Sequence, residues 1–311
     1  MPNRFASVLI AGVLCSAALG APAQPAPAAP STDKPDSTAV SEIVVQAHKK
    51  AEMQAFAKSV ETFVHAQGRP GMNGQISRWR YRVCPMTAGL APSFNAFVSK
   101  QVKDVAARVG VPAGACHGVN VLVVFTAQPD RLMADVRDHH AALLGYHQRS
   151  EAKSLAVFEP PMKSWYVTGT RQGDSRKIDY DNGGPFPDLL PHGAGHLPAP
   201  FFSDFAFTLI VVDSRQLEGH EIGPVADEIA MLALSKPAPR EGCSPLPTVM
   251  DVLDPACPSS ASVKALSAYD EAFLKALYAY KGSEEMAFER ASIRQRIVQE
   301  TGPPQPDVPA P

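Results

Sequence analysis

Val119-Asn120-Val121-Leu122-Val123-Val124-Phe125-Thr126 is a continuous run dominated by β-branched and apolar side chains. Such a run suits a strand covered on both faces, because polar alternation is needed only where one face meets water. It decides the fold class, since helical patterns flank it on either side. Upstream, Phe94, Val98, Val102, Val105 and Val109 recur on one face of a helix over 93–109, and Gly110 supplies the stop. Downstream, Pro129 opens a helix over 129–144 that Gly145 ends.

The same reading extends outwards. Residues 205–212 form a second buried strand, and 164–171 and 76–84 read as further strands. Met53, Phe56, Val60, Phe63 and Val64 place a helix over 49–67, ended by Gly68. Helices are also expected over 225–235, 266–280 and 283–299, the last as a charged surface helix. A Gly/Pro/Asp-rich loop is expected over 179–200, before the 205–212 strand, and the 266–280 helix carries a capping box of Ser267 and Asp270. The expected fold is α+β: a single domain over 42–301, with a mixed sheet and helices packed on it.

The ends are of a different composition. Arg4, the uncharged apolar stretch 6–19 and Ala21-Pro22-Ala23 before Gln24 have the three-part layout of a secretory signal peptide over 1–23. The apolar stretch is too short to span a bilayer comfortably, and Leu14 before Cys15 is too large for a lipobox. Residues 24–41 are an Ala/Pro-rich linker expected to be disordered, and the tail over 302–311 repeats that composition. The expected location is periplasmic or secreted, with no membrane span in the mature chain. Between linker and domain, Glu42-Ile43-Val44-Val45-Gln46-Ala47 reads as a first strand or ordered arm and resembles a TonB box.

The chain carries 29 Lys and Arg against 31 Asp and Glu, with no basic block of the kind that neutralises phosphates. Nucleic-acid binding therefore has no electrostatic footprint. Beyond the signal remain Cys84, Cys116, Cys243 and Cys257. An even set in an exported chain reads as disulfides, and pairing neighbours, Cys84 with Cys116 and Cys243 with Cys257, closes two local loops. No C-x-x-C pair offers a metal site instead.

In the C-terminal half, Ala226-Asp227-Glu228-Ile229-Ala230-Met231-Leu232-Ala233-Leu234 has the length and apolar spacing of the H-E-x-x-H-A-L-G-L helix of zincin metalloproteases. Thr248-Val249-Met250 then resembles a metzincin Met-turn. Leu266-Ser267-Ala268-Tyr269-Asp270, followed by Leu277-Tyr278, resembles the closing helix of those enzymes. The chain also looks like a group of exported bacterial proteins with this kind of C-terminal half. The resemblance covers roughly the last third and implies a zincin-like domain.

It departs where the chemistry lies. A zincin holds Zn²⁺ on two imidazoles one turn apart, with a glutamate between them to activate water. The imidazole positions fall on Ala226 and Ala230, the glutamate position on Asp227, and the third-ligand position of the longer metzincin motif on Lys236. What the resemblance implies is a zincin scaffold without its zinc site, hence no catalytic residues and no cofactor. The expected function is an exported, non-catalytic binding or scaffolding protein that holds a peptide or protein partner. Two alternatives stay open: a metal-dependent hydrolase with a relocated site of His192, His196 and His220, and an envelope interaction protein using the 42–47 arm as a strand. His220-Glu221-Ile222-Gly223-Pro224 is not a displaced zinc motif, because Gly-Pro interrupts the helix such a motif needs. No G-x-S-x-G elbow, phosphate loop or dinucleotide fingerprint is present.

Overall fold

The computed structural model describes residues 37–71, 74–145, 151–172, 176–180, 201–239, 242–281 and 286–303. Within them lies a five-stranded mixed sheet in the order β1-β2-β5-β3-β4. The strands are β1 (Pro85–Ala88), β2 (Val121–Thr126), β3 (Met162–Gln172), β4 (Arg176–Tyr180) and β5 (Phe201–Asp213). β1, β2 and β5 run parallel, β3 is antiparallel to β5, and β4 is antiparallel to β3. The architecture is α+β, as the alternation of buried strands and amphipathic helices predicted.

The helices are α1 (Ser37–Gln67), α2 (Pro92–Arg108), α3 (Pro129–His139), α4 (Ala152–Leu155), α5 (Ile222–Leu234), α6 (Ala268–Ala279) and α7 (Met286–Thr301). Alternation along the strands splits the core into two layers. Val121, Val123, Phe125, Ile210 and Val212 join the large cluster that contains the buried faces of α1, α2, α5 and α6. Leu209, Val211 and Trp165, with Leu122 and Val124 against them, pack on Met133 and Val136 of α3. The two disulfides are Cys84–Cys116, with Cα atoms 5.7 Å apart, and Cys243–Cys257, at 5.2 Å. These are the pairings that close the local loops. No helix among the described residues is long and apolar enough to cross a membrane.

Several boundaries differ from the sequence reading, each for a physical reason. Residues 42–47 are helical rather than a strand arm: they continue the i→i−4 ladder of α1, which starts at Ser37 inside the expected linker. From residue 45 to 55 α1 is exposed, and Phe56 is buried. Residues 76–84 make isolated bridges, Pro70 with Ile76 and Arg78 with Asp204, and the regular strand begins only at Pro85. The helix over 129–144 breaks at His140 into α3 and a 3₁₀ turn (Ala141–Leu144), ended by Gly145 in the left-handed region at φ 62°. A side chain there would collide with the Tyr166 carbonyl. The signal peptide, most of the linker and loop, and most of the tail lie outside the described residues.

Candidate functional site

α5 carries the segment Ala226–Leu234 that resembles a zinc-binding helix in sequence. Glu221 precedes it and Pro224 sits in its first turn, where a missing amide costs nothing. Every residue from Pro224 to Leu234 is buried, so the helix runs through the core instead of flooring an open groove. Ala226 and Ala230 are 0% exposed and belong to the large apolar cluster. Neither has a lone pair to offer a metal. Asp227 is also buried, and both its oxygens are engaged: Oδ1 accepts from Gln101 Nε2 at 2.6 Å and Oδ2 from the Leu266 amide at 2.9 Å. This carboxylate stitches α5 to α2 and to the lead-in of α6. These three positions therefore hold two core methyls and a structural acceptor, and they do not fit zinc.

The C-terminal end of α5 is buried too, which raises the question of its orphan carbonyls. Three aromatic side chains from three different elements supply donors. Tyr166 Oη, on β3, donates to the Leu232 carbonyl at 2.9 Å. Trp79 Nε1, in the bridge-forming stretch before β1, donates to Ala233 at 2.7 Å. Tyr278 Oη, on α6, donates to Leu234 at 2.8 Å. Met231 is served by the backbone amide and the hydroxyl of Ser235, at 2.9 and 2.8 Å. Burial pushes both tyrosine hydroxyls well above their ordinary range, which keeps them as donors.

The turn at 248–250 packs beside α5 and is tied to α6 by one carboxylate. Asp270 accepts from the Thr248 hydroxyl at 2.5 Å, the Val249 amide at 2.9 Å and the Ser267 amide at 3.0 Å. Ser267 Oγ returns the bond by accepting from the Asp270 amide at 3.0 Å, completing the capping box read from the sequence. Burial pushes the Asp270 carboxyl up to about 6, against the pull of these donors.

A further buried carboxylate was not legible in the sequence. Glu289, on the helix expected to be a charged surface element, is fully buried. It pairs with the Arg78 guanidinium and accepts from the Ile76 amide at 2.8 Å. Arg78 also donates to the carbonyls of Leu277 and Tyr280, at 3.1 and 2.9 Å. Nothing in periodicity distinguishes Glu289 from its exposed neighbours, because its partner lies 211 residues away.

Of the three histidines of the alternative site, His220 is exposed in the turn before α5, while His192 and His196 lie outside the described residues. No group of three His, Cys, Asp or Glu side chains among the described residues is arranged to hold a metal ion. Comparison of the chain with protein-family models, curated proteins and solved structures finds no match.

Proposed function

We propose that the chain is an exported, non-catalytic binding or scaffolding protein on a zincin-like scaffold whose zinc positions have been absorbed into the core. The observation that carries this reading is the state of α5: Ala226 and Ala230 are sealed from solvent, and Asp227 is spent on two structural hydrogen bonds. The scaffold part is supported by the three C-terminal segments, which occur in the zincin order and touch: α5, the 248–250 turn, and α6 anchored to that turn through Asp270. Export is supported by the signal-like residues 1–23 and by two disulfides, which persist only in oxidising compartments.

The test is the metal content and peptidase activity of the mature chain, purified without chelator or histidine tag. The expected result is a cooperatively melting protein with no stoichiometric zinc that leaves a mixed peptide library intact. One zinc per chain, lost in His192→Ala or His220→Ala along with peptide cleavage, overturns the reading in favour of a relocated hydrolase site.

A further inference from the structure

We propose that the free edge of β1 is a docking site for an extended acidic peptide with alternating apolar residues, captured by strand addition. The proposal rests on the non-catalytic binding reading above and moves the binding surface away from α5. β1 is the terminal strand of the sheet order, and among the described residues its only strand partner is β2. The Cys84 carbonyl accepts from the Val121 amide at 3.5 Å, so the main-chain groups of Cys84 and Met86 point towards β2. Alternation then turns the Pro85 carbonyl and both main-chain groups of Thr87 to the opposite side, where an added strand forms its ladder.

Side chains around this edge are apolar and exposed. Met86 is 46% exposed on the strand itself, and Phe94 and Phe97 are 49% and 41% exposed on the first turns of α2, which follows directly. Tyr81 and Val119, on the approaches to β1 and β2, are exposed as well. Five of the nine exposed large apolar side chains described thus belong to β1, to the segments leading into β1 and β2, or to the first turns of α2. Scattered apolar residues need no explanation, but a concentration at a free sheet edge is the composition of an interface.

Charge selects the partner. Between Thr62 and Pro129 the chain has five Arg and two Lys but one carboxylate, Asp104, although the whole chain has a net charge of −2. Arg78 and Arg80 are spent on Glu289 and Asp204. Lys100 pairs with Asp104 on α2, and Arg69 lies before the bridge-forming stretch. Arg82, which leads into β1, and Lys103 and Arg108, exposed on α2, remain. The Ser99 hydroxyl donates to the Thr87 hydroxyl at 2.9 Å, which ties α2 to β1, and Lys103 follows Ser99 by one turn on the same helix. A second copy of this edge would bring like charges together, so an acidic strand is the complementary occupant.

The probe is a fluorescein-labelled octapeptide alternating Val and Asp, titrated into the full mature protein at low salt and followed by anisotropy. Its controls are the Val/Lys octapeptide and the Val/Asp octapeptide N-methylated on alternate amides. The expected result is binding at least about tenfold tighter for Val/Asp than for Val/Lys, since charge complementarity decides encounter. N-methylation abolishes binding, the Thr87 amide gains exchange protection, and the surface double variant Lys103→Glu/Arg108→Glu binds weakly. Absence of binding, equal binding of both charge types, or binding that survives N-methylation overturns the proposal. A dimer that persists in saturating peptide overturns it in favour of a second copy. Mass analysis of the recovered octapeptide keeps the two readings apart: an intact, unbound peptide sinks only the edge proposal, whereas a cleaved one sinks the non-catalytic reading.

Discussion

The Trp79 indole N–H donates to the Ala233 carbonyl across 2.7 Å of buried space, joining the approach to β1 to the end of α5. Tyr166 and Tyr278 flank it on the carbonyls either side, so the last turn of a buried helix is satisfied by long-range side chains. Removing one donor strands a carbonyl in the core. Tyr278→Phe keeps the ring and deletes only the hydroxyl, and the expected loss is about 1–3 kcal/mol. For a chain of this size that lowers Tm by roughly 2–4 °C per kcal/mol. A urea melt with unchanged slope and midpoint would show that the Leu234 bond carries no weight.

Installing the two histidines of a zinc motif on α5 should damage this protein. Ala226→His/Ala230→His forces two imidazoles into sites with no exposed surface and no polar partner. Overpacking alone costs about 1–3 kcal/mol per site, and burial of the ring nitrogens adds to it. The variant is expected to melt far lower and to gain nothing from added zinc. A zinc-dependent rise in its Tm would place these positions in an accessible pocket and contradict the buried-helix account.

The Asp270 carboxyl makes stability fall as pH rises. Its pKa is raised by burial from 3.8 to about 6, so between those values the folded chain keeps a proton that the unfolded chain has released. The contribution is present in full below about pH 4, is lost as pH rises to 6, and is constant above that. Its size is on the order of 3 kcal/mol. Asp270→Asn is expected to flatten the slope of unfolding free energy across pH 4–6 relative to the parent. Identical slopes in the two proteins would remove Asp270 as its source.

The Arg78–Glu289 pair should behave asymmetrically. Glu289→Ala leaves a guanidinium buried without its counter-charge, at a cost of about 3–5 kcal/mol. Arg78→Met/Glu289→Leu removes both charges and is expected to be milder than Glu289→Ala alone, although it also gives up the Arg78 bonds to Leu277 and Tyr280. Chemical denaturation of the single and double variants gives the coupling energy. Simple additivity would mean that the two residues do not act as a pair.

The local patterns in this chain were legible because their causes are local. The unbroken run at 121–126 fixed a strand in the middle of a sheet, and the stripe of Val98, Val102 and Val105 fixed α2. The Ser267–Asp270 capping box could be read three residues apart and is present as read. Cysteine order pointed to the observed disulfides because short loops are entropically cheap to close.

Tertiary structure decided what depends on distant neighbours. Residues 42–47 look like a strand by their own composition, yet the adjoining helix extends through them. The sequence established that Ala226 and Ala230 cannot ligate zinc; only the fold established that they are buried, because that depends on what α2, the sheet and α6 bring against α5. Likewise, Trp79, Tyr166 and Tyr278 carry no shared signal along the chain and become a single cap only when three elements converge on one helix end. Sequence periodicity records which face of an element avoids water, whereas a hydrogen-bond partner is chosen by where the chain returns.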